Sequence, residues 1–305
     1  MTARAEIGAR VDALRRERVP FVSARVVLAE KPTSAKPGDE ALVLADGTME
    51  GFVGGTCAES TVRAQGMALL DSGESLLLRI SPVEEASQPG KLTVHNPCLS
   101  GGTLEVFLEP VMPAPLVAVV GDTPIARALI GFGGPLGYEV VAWSDPPAPD
   151  TAAVVVATHG RDEEQALDAA LAAGVPYVGL VASRKRGEAV IATLAAAPDE
   201  RARVRSPAGL DIGARTAEEV ALSILAEIVE ARPRPSGRTV AGSDVVEAAA
   251  RSDAGTATAL DPVCGMTVAT VESSLHLDHE GTRWWFCGSG CLRAFADDPA
   301  AYGSS

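Results

Sequence analysis

Positive charge is scarce in this 305-residue chain. Lys and Arg number 26 against 40 Asp and Glu, a formal net charge of −14. Without a basic surplus there is no overall surface to neutralise phosphates, which excludes a nucleic-acid binder and argues against docking on anionic membranes. Long apolar runs are missing too: none reaches the roughly 18 residues needed to cross a bilayer. The opening stretch, MTARAEIGARVDALRRERVP, lacks the apolar centre of a secretory signal. The expectation is a soluble, cytoplasmic protein. In that compartment five cysteines read better as ligands, redox groups or small core residues than as disulfides. Global disorder is excluded by 47% hydrophobic and 22% charged residues, and the length predicts two or three domains.

Aromatics are few (six Phe, three Trp, three Tyr) and unevenly placed. Trp284, Trp285, Phe286, Phe295 and Tyr302 follow residue 258, together with Cys264, Cys287, Cys291, His276 and His279. The C-terminal segment therefore reads as a module of its own.

Three regions with different patterns precede it. The first 18 or so residues carry Ile7, Val11 and Leu14 at helical spacing. Extended stretches follow at 21–29 and 41–45, and an Asp46-Gly47 turn leads into 48–53 as a hairpin. Thr56 with Glu59 matches a capping box, predicting a helix over 57–70. Further strands are expected at 75–81 and 103–108, making the first domain, 1–112, α+β. From Leu116 short apolar strands (116–120, 139–142, 152–157, 177–181) alternate with helical stretches (124–136, 162–172, 187–194, 216–231). That alternation predicts an α/β, Rossmann-like doubly wound parallel sheet over 113–232. The connection 144–151 holds three prolines and is too short for a crossover helix. Residues 233–259, rich in Pro, Gly, Ala and Ser, read as a flexible linker with a short helix around 245–251. The module proper spans 260–305.

Cys57 falls in the first turn of its predicted helix, directly after Gly54 and Gly55. Backbone N–H groups and the helix dipole should lower its thiol pKa there. Cys98 lies in Asn96-Pro97-Cys98-Leu99-Ser100-Gly101-Gly102, where paired glycines admit a ligand close to the backbone. Spacing alone leaves both readings open, ligand site or inert core cysteine. In the second domain a dinucleotide fingerprint needs G-x-G-x-x-G/A. The chain has Gly121-Asp122-Thr123-Pro124-Ile125-Ala126, with Thr123 at the second glycine and a carboxylate at Asp122. Asp145 stands where a ribose-binding acid would, but the glycine pattern speaks against NAD(P) or FAD. His159 and Arg184 are further candidates at strand ends, against structural readings as a core histidine and a solvated basic face, and Asp211 reads equally as a salt bridge or helix cap. In the tail, Cys287 and Cys291 are four apart, a spacing that allows one face of a helical turn, and Cys264 lies 23 residues upstream. Three thiolates with His276 or His279 would hold a soft cation, Zn²⁺ or Cu(I), tetrahedrally.

Two segments, TSAKPGDEALVLADGTMEGFVGGTCAE and NPCLSGGTLEVFLEP, resemble the N-terminal domain of the XdhC/CoxI family. VVVATHGRDEEQAL, YVGLVASRKR and SPAGLDIGARTAEEVALSILAEIV are similar to its Rossmann domain, so the likeness spans about 20–231. The family's usual loop is close to GAGHVA, from which this chain departs. The NPCLSGG form sits nearer the carbon monoxide dehydrogenase branch. The tail resembles a YHS domain through DPVCGM, the aromatics before Cys287, the C-x3-C pair and the closing Phe295, Pro299 and Tyr302. The resemblance implies a maturation factor rather than an enzyme. It would hold molybdenum cofactor transiently, support its sulfuration with a cysteine desulfurase, and pass it to a xanthine dehydrogenase or carbon monoxide dehydrogenase apoenzyme. Cys57 and Cys98 match the family's two cysteine motifs, with Gly54, Gly55, Gly101, Gly102, Gly121, Asp145, His159, Arg184 and Asp211 as accompanying positions. Two other readings stay open: an NAD(P)- or flavin-dependent oxidoreductase, and a metal sensor or buffer. A homodimer is allowed but argued by no residue.

Overall fold

The computed structural model describes residues 3–85, 88, 90–96, 102–158, 160–232 and 257–302. It divides into two compact units, Met1–Pro113 with Ser236–Ser305, and Ala114–Pro235. No helix among the described residues is long and apolar enough to cross a membrane.

The first unit begins with α1 (Ala3–Arg16), β1 (Phe21–Ala29), β2 (Glu40–Leu44), β3 (Met49–Gly51), α2 (Thr56–Ser72), β4 (Leu76–Ser81), β5 (Lys91–His95) and β6 (Leu104–Val111). The strands form one sheet in the order β3-β2-β1-β6-β4-β5, antiparallel except for β4 beside β5. Side chains alternate across it, as the two-residue period of a strand requires. Val22, Ala24, Val26, Leu78, Val106 and Leu108 face α2 and pack on its Val62 and Met67. Phe21 and Leu42 point the other way, onto Leu14, Ile7 and Val11 of α1. The expected turn at Asp46-Gly47 joins β2 to β3, with the Thr48 N–H donating to Asp46 Oδ1 at 2.8 Å. Strand β5 begins and ends on polar residues, shows no clear pattern, and was not expected.

The expected capping box at Thr56 does not form. Gly55 is the N-cap, extended at φ −74°, ψ 172°, and no side chain caps the helix. A box needs its Ser or Thr in extended backbone; Thr56 has already entered the helix, so its hydroxyl is out of reach of the third amide.

The same unit continues with β12 (Thr258–Leu260), β13 (Thr267–Ala269), β14 (Leu275–His279), β15 (Thr282–Phe286) and α8 (Ser289–Asp297). These are two antiparallel hairpins and a helix. Phe295 gathers Trp284, Phe286 and Tyr302 around it at centroid distances of 5.1, 5.4 and 6.5 Å. The segment is compositionally distinct yet not free-standing. Ala269 joins the core between the six-stranded sheet and α2, Val271 packs against it, and Ser273 Oγ donates to the Gly47 carbonyl at 3.1 Å. The helix expected around 245–251 and most of the expected linker lie outside the described residues.

The second unit comprises β7 (Leu116–Val120), α3 (Pro124–Gly133), β8 (Glu139–Ala142), β9 (Thr151–Val156), α4 (Glu163–Ala172), β10 (Tyr177–Leu180), α5 (Arg184–Thr193), α6 (Pro198–Arg201), β11 (Val204–Arg205) and α7 (Ala217–Ala231). Its sheet is wholly parallel, ordered β11-β10-β9-β7-β8. Val117, Val119, Ala153 and Val155 face Leu129 of α3 and Ile224 and Ile228 of α7. Ala118, Val120, Val154 and Val156 face Leu167 and Leu171 of α4. Burial on both faces is why these strands are continuously apolar. The proline-rich stretch between β8 and β9 carries no helix, as its length demanded. Helix α5 starts three residues before its expected position, and α6 and β11 were not anticipated, being too short for periodicity to register.

Candidate metal centre

Cys264, Cys287, Cys291 and Asp261 converge, their ligand atoms all within 4.8 Å of one another. Cys264 sits in the turn between β12 and β13, Cys287 just after β15, and Cys291 in the first turn of α8. Sγ to Sγ distances are 3.4 Å for Cys264–Cys287 and 3.7 Å for Cys287–Cys291. A disulfide needs about 2.05 Å. A tetrahedral cation with metal–sulfur bonds of about 2.3 Å sets its sulfurs roughly 3.8 Å apart, so the three thiols already stand close to coordination spacing.

Asp261 explains the convergence. It is buried, and both carboxylate oxygens accept backbone N–H groups. Oδ1 takes that of Val263 at 2.9 Å, and Oδ2 takes that of Cys287 at 2.7 Å. One side chain thus clamps both cysteine-bearing segments. Its own N–H donates to the Met266 carbonyl, and its carbonyl accepts from Gly265, which closes the turn around Cys264. Asp261 was not among the expected ligands; the signal was its place at the head of DPVCGM. The thiols share their protons unequally. A hydrogen bond from Cys287 holds Cys264 below the usual thiol range. Its bonds to Cys264 and Cys57, and then burial, push Cys287 up. Burial and the Asp261 charge push Cys291 up to about 12.

Neither candidate histidine joins this group. His276 Nδ1 lies 2.9 Å from the Ser274 carbonyl, with its ring 5.0 Å from Trp285. His279 stands edge-on to Phe295 at 5.9 Å. Both lie in β14, and their rings pack within the aromatic cluster.

A fourth cysteine, from the other end of the chain, lies beside this group without falling within its 4.8 Å spacing. Cys57, in the first turn of α2, packs against the cluster of Cys287, Met266 and Val268 on which Cys264 and Cys291 also pack. Its thiol hydrogen-bonds with Cys287. Gly288 makes the approach feasible, since a β-carbon there would lie 3.3 Å from the Cys57 sulfur. Sequence reading divided the cysteines between an N-terminal pair and a C-terminal trio; the fold groups Cys57 with the trio. Cys98 and Gly101 lie outside the described residues. Gly54 is buried at the turn into α2, and Gly55 is exposed, with open space where a side chain would be. Gly102 lies against the backbone of Glu30 and Pro32.

In the second unit a cleft of about 700 Å³ opens where the strand order reverses, lined by Gly121, Asp122, Thr123, Trp143, Asp145 and Arg161 among others. Such a switch point is where doubly wound sheets bind ligands. Gly121 has φ +108°, and a β-carbon there would strike the Ala157 carbonyl. The phosphate position itself is altered. Thr123 caps α3 by accepting the Ala126 N–H at 3.2 Å, and Asp122 pairs with Arg127 at 2.7 Å. Two polar side chains therefore stand where a pyrophosphate would meet bare backbone. Asp145 accepts from Gln165 at 3.1 Å. His159 lies outside the described residues. Arg184 and Lys185 are exposed at the start of α5, whereas Arg186 pairs with buried Glu163. Asp211 is exposed, and the start of α7 is capped by Thr216 with Glu219.

Three family models match the chain: the XdhC and CoxI family over residues 14–81, the XdhC Rossmann domain over 117–228, and the YHS domain over 259–305. Among curated proteins, it is 26% identical over 257 residues to "Uncharacterized protein YqeB" of Escherichia coli (strain K12), covering 73% of this chain and 46% of that one. It is 24% identical over 170 residues to a protein of Bacillus subtilis (strain 168) described as a probable xanthine dehydrogenase subunit, covering 47% and 50%. The chain thus spans about half the length of these relatives. A solved structure described as a xanthine dehydrogenase from Bacillus halodurans aligns with TM-score 0.36 and 17% identity, over 75% of this chain and 97% of that one.

Proposed function

The chain belongs to the XdhC and CoxI family and ends in a YHS domain, and from that premise we propose that it is an accessory factor for a molybdenum hydroxylase of the xanthine dehydrogenase or carbon monoxide dehydrogenase type. Its cargo is molybdenum cofactor, received, sulfurated with a cysteine desulfurase and delivered to the apoenzyme. The observation that carries this reading is the setting of Cys57. A soft sulfur donor stands in the first turn of α2, behind a glycine cap with open space in place of a side chain. Amides at a helix start favour an anionic sulfur or an anionic cargo group. The YHS thiols fit a soft cation, Zn²⁺ or Cu(I), by their donor type and spacing. In the carbon monoxide dehydrogenase branch, copper handling would serve the same client.

The test is molybdenum and pterin analysis of the protein purified from its native cells, with Cys57→Ala and Cys98→Ala beside the wild type. The reading expects molybdopterin in the wild type and at least a tenfold loss in the variants. Equal content in all three overturns it. The cleft of the second unit favours a second reading, a dinucleotide-dependent oxidoreductase, with Asp122 and Thr123 weighing against it. Stabilisation by NAD(P)H or FAD in a thermal-shift series, absent with molybdopterin, would select that reading instead.

A further inference from the structure

Three YHS thiols leave a tetrahedral cation one donor short. Asp261 is near enough to serve, but both its oxygens are already committed to backbone amides, and those bonds hold the two cysteine segments in place. Each oxygen keeps a second lone pair, but a soft cation prefers thiolate sulfur to a hydrogen-bonded carboxylate. Among the described residues, the further sulfur packed on this cluster is that of Cys57. It lies outside the group within 4.8 Å but is half-buried against Cys287, Met266 and Val268, in hydrogen-bonding contact with Cys287, beside a glycine that leaves it room. It is not there by accident of a mobile tail. β13 packs along α2, Ala269 sits in the core beneath that helix, and Ser273 bonds the Gly47 carbonyl, so the helix carrying Cys57 and the hairpin carrying Cys264 share one packed interface.

We propose that Cys57, Cys264, Cys287 and Cys291 form a single four-thiolate site for one soft or borderline cation, Zn²⁺ or Cu(I), built jointly by the N-terminal domain and the YHS module. Binding replaces the thiol protons with four sulfur–metal bonds and releases those protons to solvent; no oxidant or reductant is needed. A sulfur engaged this way cannot hold other cargo, so an occupied site withdraws Cys57 from the cofactor-handling face. The inference rests on the reading that the YHS thiols bind metal.

Zinc alone serves as the probe. The reduced full-length chain is loaded with one equivalent of Zn²⁺ and measured by X-ray absorption, before and after Cys57→Ser. Four sulfurs in the wild type and three plus one lighter atom in the variant are expected, with Zn²⁺ affinity falling at least tenfold by chelator competition. Three sulfurs in the wild type, unchanged in the variant, overturn the shared site and leave the YHS metal reading standing. No zinc bound by either protein overturns both. Should Cys57→Ser fail to fold, alkylation of Cys57 in the wild type decides the matter. Zinc is expected to slow it at least tenfold, and an equal rate with and without zinc overturns the proposal.

Discussion

Replacing Asp261 with alanine tests the clamp that brings the thiols together. The carboxylate accepts two amides, at 2.9 Å from Val263 and 2.7 Å from Cys287. The Cys287 amide belongs to a buried residue and finds no water when its acceptor is removed, which costs about 1–3 kcal/mol. Val263 is half-buried, so its amide recovers a solvent partner and the loss there is about 1 kcal/mol. The sum, about 2–4 kcal/mol, falls on local opening of the segment joining β15 to α8. One effect opposes it: Asp261 also raises Cys287 and Cys291 through its charge, and its removal eases their ionisation. That relief is small in metal-free protein at neutral pH, where these thiols are protonated, so the lost bonds dominate. At 1.4 kcal/mol per factor of ten, the Cys287 amide should exchange roughly 30- to 1000-fold faster in metal-free Asp261→Ala than in wild type. Hydrogen exchange followed by mass spectrometry of the 282–292 segment reads this directly. Asp261→Asn, which keeps one acceptor, should fall between the two. An exchange rate within threefold of wild type in the alanine variant would refute the clamp.

Three further expectations concern other sites. Glu163 is held below its ordinary carboxylate range: burial pushes it up, but the Arg186 guanidinium, the Gly160 N–H and the Thr158 hydroxyl together outweigh that. Its contribution is therefore complete above the ordinary carboxylate pKa and lost as pH falls through the lower folded value; Glu163→Gln should cost about 1–3 kcal/mol at pH 7, with the difference vanishing in urea melts below that range. Glu227 Oε2 accepts both the Tyr177 hydroxyl at 2.6 Å and the Gly209 N–H at 2.7 Å, so Glu227→Ala should lower the second unit's stability by about 2–4 kcal/mol and Tyr177→Phe by about 1 kcal/mol, checked by denaturant midpoints. Gly47→Val places a β-carbon 2.6 Å from Val271 Cγ2 at a residue with φ +79°; it should undock the first C-terminal hairpin and raise the alkylation rate of Cys57 in metal-free protein severalfold, and an unchanged rate would show the contact to be dispensable.

The fold was legible where burial imposes a period. Val117, Val119, Ala153 and Val155 alternate with Ala118, Val120, Val154 and Val156 across one sheet, and helices cover both sides, so continuous apolar strands separated by helical stretches could mean little else. Strand β11 has only two residues, and β5 begins and ends on polar residues, so neither stands out as the apolar runs of β7 and β10 do. The cap of α2 was misplaced by one residue because Gly55 and Thr56 are both acceptable caps by composition, and only the backbone decides between them.

The site divides along a similar line, between what is close in sequence and what is close only in space. Cys287 and Cys291 were paired by helical spacing, and Cys264 was attached by its motif. The histidines were drawn in by composition, since residue type says nothing about whether an imidazole faces a metal or an indole. Cys57 was assigned away from the trio for a sound reason: it belongs to a different motif with a different expected task. What joins it to the trio is a packed surface, in which Ala269 and Val271 bury against α2 and Ser273 reaches Gly47, 226 residues away in the chain. Apolar contact of that kind carries no spacing rule, because any small or branched residue on two facing surfaces would serve. Motif spacing could therefore link Cys264, Cys287 and Cys291 to one another, while how many sulfurs gather there, three or four, is a property of how one hairpin docks on one helix. On the four-thiolate proposal, a substitution at that docking surface changes the sulfur count around bound Zn²⁺, read by X-ray absorption, without touching any ligand.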